Sequence, residues 1–570
     1  MNRLLLSLSK GAKRGLLPIA LRYLGWCGIA ALAATPALGA ERVYVTYGPL
    51  EISVPVKSLE VFVETGVVDD NWDGFAQYVN QQQLAQLRQA LQAKAEVSPV
   101  TISQFLYTSQ GEVLLQRLGR VIQTKGRQPG FYAIRAALIL AAADPEGLTP
   151  VNVLKKFPTY GIRIDVARGL AVVNQLTGLV NRSNRAIAGV IQLANAQAAS
   201  EPVNSSGLQD PERRGSFTWE KVSLTLTNDR RGRTFPLDLY LPTGNPKPAP
   251  VIVISHGLGS DRISFAYLAE HLASYGFVVA VPEHPGSNAQ QLQNLVVGRA
   301  NEVSQAAEFI DRPLDVKDVL DFLTSLSASD PKYQGQMDLQ KVGVIGQSFG
   351  GYTALALAGG GVNFDQLDKD CQQESETWNI SLLLQCRVKT LPRKDYNLID
   401  SRVKAAIAIN PIISSVLGEA NISQIKIPVM ILAGSADTIA PAVVEQIQPF
   451  TWLTNPEKYL VLLNNGTHFS TIDESPQSVF RVPTDALGPE PALARYYLNG
   501  LSVAFMETYL LNQSSFRRNL QPSYAKTISR DVLGLSILRS LTTEQFQKLL
   551  SGTATPVLPA SPPQPVPAKP

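Results

Sequence analysis

The spacing of hydrophobic positions changes character along the chain. Over residues 41–56 apolar and polar residues alternate (Val43, Val45, Tyr47, then Leu50, Ile52, Val54), which predicts a short strand or hairpin. From Val56 the period lengthens. Val56, Leu59, Phe62 and Val63 share one helical face, and Gly66 stands where a C-cap belongs. Leu84, Leu87 and Leu91 mark a second helix, and Ser103 can cap a third. The Ala- and Leu-rich run 131–143 stops at Asp144-Pro145. Thr149-Pro150 supplies a cap and a first-turn proline for another helix, and more helix is expected from about 165 to 194. The pattern predicts a separate, mostly α N-terminal domain over 41–195. It contains no histidine, and none of its residues is assigned to chemistry.

Residues 196–216 lose periodicity and collect Ser, Pro and Gly, which predicts a linker. Alternation then returns. Val222, Leu224 and Leu226, a turn at 228–232, and Leu237, Leu239 and Leu241 predict a hairpin. From Pro250 the pattern is β then α, repeated. Val251–Ile254 and Phe277–Val281 are wholly apolar, as strands buried on both faces must be. Lys341–Ile345, Val403–Ile409, Val429–Leu432 and Tyr459–Leu463 continue the series, with helices between them. This predicts an α/β fold with a doubly wound, mostly parallel sheet over 217–512. The insertion 359–402 is either a lid or a structural excursion on the far side of the sheet. A long helix over 492–511 precedes C-terminal helices within 513–552. The last of these begins at the capping box Thr542-x-x-Gln545. Residues 553–570 are proline-rich and are expected to form a disordered tail.

Residues 1–40 read as a signal peptide, with a basic start, an apolar stretch from Tyr23 to Ala34 and small residues around Gly39 and Ala40. The alternative is an uncleaved anchor, for which the apolar run is short. The expected location is therefore periplasmic or extracellular. The formal net charge of +4 comes from this leader: the remainder carries 46 basic against 47 acidic residues. That balance argues against nucleic acid as a partner. Export leaves Cys371 and Cys386, which form either a disulfide or two buried thiols. As a disulfide they would contribute about 3 kcal/mol by loop closure.

The chemistry concentrates at Gly346-Gln347-Ser348-Phe349-Gly350, between an apolar strand and a helix-type run. This is the strand–turn–helix setting of a nucleophile elbow, whose strained central residue exposes its hydroxyl. An activated serine needs a base, and the base needs an orienting acid. The chain has four histidines. His271 lies within a helix, His256 suits a scaffold role in its turn, and His284 suits either a pocket or a turn. His468 follows the last apolar strand and is the candidate base. Asp437 follows the strand before it and is the candidate acid, with Asp473 as runner-up. An oxyanion would be held by the backbone N–H groups of Phe349 and Leu258.

His256-Gly257-Leu258-Gly259, Glu283-His284, Arg312-Pro313-Leu314-Asp315-Val316, the elbow, Asp437 and His468 together resemble α/β-hydrolases of the platelet-activating factor acetylhydrolase and dienelactone hydrolase-like group. Residues 41–195 resemble a domain of unknown function that precedes such hydrolases in cyanobacteria. The resemblance implies a serine carboxylic ester hydrolase without metal or cofactor, in which Ser348, Asp437 and His468 are catalytic. It also implies a small-molecule or lipid ester substrate, such as a phospholipid with a short sn-2 acyl chain. Contact with a membrane surface is a candidate interaction. The family elbow often carries His where this chain has Gln347. Other readings are a polyester or small-ester hydrolase, an acyltransferase and a non-catalytic envelope scaffold.

Overall fold

The computed structural model describes residues 39–72, 79–202, 207–244, 248–475 and 482–552. The expected signal peptide up to residue 38 and the proline-rich tail 553–570 lie outside the described residues. The chain divides into two compact units. One holds the residues up to Ile102 together with Leu118–Gly169. The other holds Ser103–Arg117 and everything from Leu170 onward.

The first unit is helical around a small sheet. The alternation at 41–56 forms a hairpin of β1 (Arg42–Tyr47) and β2 (Leu50–Pro55). Two strands that the sequence reading did not anticipate, β3 (Ile122–Thr124) and β4 (Gly161–Asp165), complete the order β2-β1-β4-β3. Helices Val56–Thr65, Gln81–Gln92, Phe131–Ala143 and Pro150–Lys155 lie where the pattern put them. Thr149 caps the last of these by accepting from the Asn152 N–H. Ser103 caps nothing; it sits inside the helix Pro99–Leu106.

The second unit is built on nine strands: β5 (Thr218–Asn228), β6 (Arg233–Thr243), β7 (Ala249–Ser255), β8 (Val278–Pro282), β9 (Met337–Gln347), β10 (Val403–Ile409), β11 (Val429–Gly434), β12 (Lys458–Asn464) and β13 (Gly534–Leu538). Their order is β13-β12-β11-β10-β9-β7-β8-β6-β5. The six from β8 through β12 run parallel, and the edge strands pair antiparallel. Side chains alternate across the sheet, so each central strand feeds two cores. Ala406 and Ala408 face a layer containing Tyr352 and Phe450. Ala405, Ile407 and Ile409 face the opposite layer, with Leu268, Tyr497 and Phe505.

Three expected boundaries move. The helix predicted to end near 194 runs from Val166 to Ser200, and Ala186, Ile187, Val190 and Leu193 join the core around Phe349 and Tyr352. The boundary at 195 thus falls within an element of the larger unit. The expected linker 196–216 is packed in its later half. There Glu212 is buried beneath the Tyr524 hydroxyl, and the Pro211 carbonyl accepts from the His271 ring. At the other end, the sheet does not stop at 512. Residues 534–538, read as part of a helical extension, form β13 against β12, and Phe546 and Leu549 enter the core. Each of these contacts is made with residues 60 or more positions away, which local periodicity does not register.

The insertion 359–402 folds as short helical turns whose Leu367, Leu382, Leu384 and Val388 are buried. Cys371 and Cys386 within it are joined by a disulfide. Glu445 clamps the insertion by accepting hydrogen bonds from Asn379, Ser381 and Gln385. None of its described residues lines the cavity above Ser348, which is what the excursion alternative expects and the lid alternative does not.

Candidate active site

Strand β9 ends at Gln347 and a helix begins at Phe349, so the chain must turn at Ser348 alone. Ser348 takes φ 55° and ψ −113°, a strained conformation for a residue with a side chain. The crowding around it explains the flanking glycines. A Cβ at Gly346 would lie 2.0 Å from the Gly350 carbonyl oxygen, and one at Gly350 would lie 1.9 Å from that of Ser255. The Ser348 N–H is bound to the Ile409 carbonyl at 2.8 Å, which fixes the turn to the neighbouring strand.

The loops after β11 and β12 bring the other two groups to the same edge. Asp437 accepts from the N–H groups of Ile439 and Ala440 through Oδ1, at 2.9 and 2.7 Å. Its Oδ2 lies 2.7 Å from His468 Nδ1, and His468 Nε2 lies 2.9 Å from Ser348 Oγ. A carboxylate can only accept, so Nδ1 carries the proton and Nε2 is free to accept from the serine hydroxyl. All three side chains are largely buried. Asp473, the runner-up acid, makes no hydrogen bond to His468 and lies 3.5 Å from Arg495.

Leu258 borders the same cavity as Ser348 and His468, and Phe349 follows Ser348 directly in the chain. Phe349 is the first residue of its helix, where N–H groups have no intrahelical acceptor. Neither its N–H nor that of Leu258 meets a backbone acceptor among the described residues. Leu258, Gln347, Ser348 and His468 border one cavity of about 640 Å³. Leu292, Phe469, Ile472 and Val482 supply apolar wall, and Asp261, Asp473 and Glu474 also border it.

Two of the remaining histidines, His256 and His284, brace the turn that carries Leu258. His256 Nε2 accepts from the His284 N–H at 3.0 Å, and its Nδ1–H donates to the Gly257 carbonyl at 2.7 Å. His284 bridges the Ser255 hydroxyl and the Asp315 carboxylate, each at 3.0 Å. Burial holds both imidazoles well below the ordinary histidine pKa, reinforced by the Arg312 charge. Neither ring borders the cavity.

Several supporting residues were given no role by the sequence, although Arg312 and Asp315 stand in a motif that carries the family resemblance. Arg312 is fully buried; it donates to the His256 carbonyl at 2.6 Å, and its guanidinium lies 4.6 Å from the Phe349 ring centre. Arg233 joins Glu308 and Asp315 behind the turn, and Ser287 links Glu308 to the Gly259 N–H. Asn410, at the end of β10, donates to the Thr467 carbonyl and accepts from the Gly434 N–H. A polar residue directly after an apolar strand at this edge was the one available clue to Asn410.

Comparison with known proteins agrees with this architecture. Residues 39–165 match the family described as alpha/beta hydrolase of unknown function (DUF1400), and residues 239–295 match platelet-activating factor acetylhydrolase, isoform II. The second match holds β7, β8 and the Leu258 turn. The platelet-activating factor acetylhydrolase of the dog is 32% identical over 157 residues, covering 21% of this chain and 34% of the relative. That of the guinea pig (Cavia porcellus) is 30% identical over 138 residues, covering 19% and 31%. The hydrolyase poxO of Penicillium oxalicum is 33% identical over 122 residues, covering 21% and 26%. The chain spans about a third of the length of the acetylhydrolases it matches. It therefore has the α/β-hydrolase fold and, over part of its length, is similar to platelet-activating factor acetylhydrolases.

Proposed function

We propose that the chain is a serine carboxylic ester hydrolase acting on esters with short acyl chains, of which the sn-2 acetyl-type ester of a phospholipid is the preferred example. The observation that carries this reading is the hydrogen-bonded series Ser348–His468–Asp437 opening into a cavity. Ser348 Oγ attacks the ester carbonyl carbon while His468 Nε2 takes its proton. Asp437 keeps the imidazole in the required tautomer and stabilises the imidazolium. The Leu258 and Phe349 N–H groups receive the negative oxygen of the tetrahedral intermediate. That intermediate collapses, the C–O bond to the alcohol breaks, and His468 returns the proton to the departing oxygen. Water then repeats the sequence on the acyl-enzyme and releases the acid.

A cavity of about 640 Å³ suits a short acyl group with part of its alcohol. Similarity to platelet-activating factor acetylhydrolases supports a lysophospholipid as the preferred leaving alcohol. The signal peptide expected over residues 1–40, together with the Cys371–Cys386 disulfide, favours action outside the cytoplasm, where disulfides persist. A fluorophosphonate should label the wild type and not Ser348→Ala, and the same substitution should abolish hydrolysis. A panel of p-nitrophenyl esters set against short-chain oxidised phospholipids then ranks the substrates. Labelling that persists in Ser348→Ala would remove the reading.

A further inference from the structure

We infer that Gln347 and Asn410 are a pair of positioning residues that hold the base loop against the nucleophile. This rests on the hydrolase reading above. Gln347 Nε2 donates to the His468 carbonyl at 3.0 Å, and Asn410 Nδ2 donates to the Thr467 carbonyl at 3.0 Å. These two carbonyls belong to the two peptide planes that meet at the His468 Cα. With both planes held, the Cα–Cβ bond of His468 has little freedom, and the imidazole is aimed by the backbone as well as by Asp437.

The two carboxamides come from adjacent strand ends. Ile409 pairs with Gln347 in the β9–β10 register, so Asn410 emerges beside Ser348. Asn410 also accepts from the Gly434 N–H through Oδ1 at 3.0 Å, which ties the same side chain to the strand carrying Asp437. It takes φ 43°, a conformation that Asn adopts more readily than most residues. Gln347 reaches a third element. A Cβ at Gly257 would lie 2.2 Å from Gln347 Oε1, so the turn that presents the Leu258 N–H packs directly on this carboxamide. Gln347 is thus in contact with the oxyanion turn, the base loop and, through the main chain, the nucleophile.

Both side chains are buried, at 3% and 1% exposure. Burying a carboxamide is unfavourable unless its polar atoms are paired. Here each donor is spent on the loop that carries His468, not on the core. Displacement of a reacting group by about 1 Å can cost on the order of a hundredfold in rate. The departure from His at the elbow thus keeps a donor at this position while changing its shape.

The test compares Gln347→Met, which removes the donor, with Gln347→His, which restores one, and with Asn410→Asp, which keeps the shape and the Oδ1 acceptor. Hydrolysis of p-nitrophenyl acetate supplies kcat and KM, and the rate of fluorophosphonate labelling reports on Ser348 and His468 without a turnover substrate. Gln347→Met and Asn410→Asp should each lower kcat and the labelling rate about tenfold or more, with KM within about twofold. Gln347→His should recover most of the loss. If Gln347→Met does not fold, the isosteric Gln347→Glu takes its place with the same expectation. Wild-type kcat and labelling in Gln347→Met, or no recovery in Gln347→His, would overturn the proposal. Failure of the hydrolase reading is distinct, because it would appear as hydrolysis or labelling that persists in Ser348→Ala with Gln347 and Asn410 unchanged.

Discussion

His468 Nε2 lies 2.9 Å from Ser348 Oγ, although 120 positions separate the two in the chain. The contact arises because β9 and β12 end at the same edge of one parallel sheet, with β10 and β11 between them. Three strand spacings put the two strand axes about 14 Å apart. The loop after β12 must therefore lean back across two strands to bring the ring to the serine. Asn410, directly after the intervening β10, donates to the Thr467 carbonyl, and Gln347, at the end of β9 itself, donates to the His468 carbonyl, so the loop is held from both strands.

Asp437→Asn should lower kcat by roughly a thousandfold or more with little change in KM, because an amide facing Nδ1 favours the wrong imidazole tautomer. Asp473→Asn should leave kcat within about threefold of wild type, since Asp473 makes no hydrogen bond to His468. Steady-state kinetics of the two variants on one p-nitrophenyl ester separates them. Equal losses would mean that the orienting acid has been misassigned.

Gly350→Ala should destabilise the protein by about 3 kcal/mol or more, because overpacking against backbone cannot be relieved by a rotamer change. The new methyl group would lie 1.9 Å from the Ser255 carbonyl oxygen. Gly178→Ala is the control. Gly178 lies inside the helix Val166–Ser200 with nothing within 4 Å of its would-be Cβ. That change should be neutral or stabilising by up to about 1 kcal/mol. Denaturant unfolding of the two variants tests the contrast.

Glu507→Gln should stabilise the protein at pH 8 and have little effect at pH 4. Burial at 7% exposure raises the Glu507 carboxyl from its ordinary 4.5 to about 7. An acid whose folded pKa is raised binds more protons in the folded state, so its share of stability is present below 4.5 and is lost as pH rises toward 7. The loss above that window is at most roughly 3 kcal/mol. Thermal unfolding from pH 4 to 8 should show the wild type and Glu507→Gln diverging upward through this range. Parallel curves would contradict it.

Much of the larger unit was legible in local pattern. A strand covered on both faces must be apolar at nearly every position, which is why β7, β8, β10, β11 and β12 stand out as unbroken runs. β13 was missed because Gly534-Leu535-Ser536-Ile537-Leu538 is short and borders helix-forming stretches; its strand character comes from pairing with β12. The domain limits were missed for a related reason. The helix Val166–Ser200 looks continuous with the N-terminal region in period, yet Ile187 and Val190 are buried around Phe349.

The amino-acid sequence by itself determined the strand series, the Gly-x-Ser-x-Gly turn and the order in which serine, acid and base follow their strands. These depend on side-chain size, polarity and spacing over a few residues. Only the tertiary structure decided that Asp437 and not Asp473 meets His468, that residues 359–402 pack away from the cavity, and that Gln347 and Asn410 grip the base loop. Those outcomes depend on ångström-scale distances between segments far apart in the chain, set by the register and packing of the whole sheet.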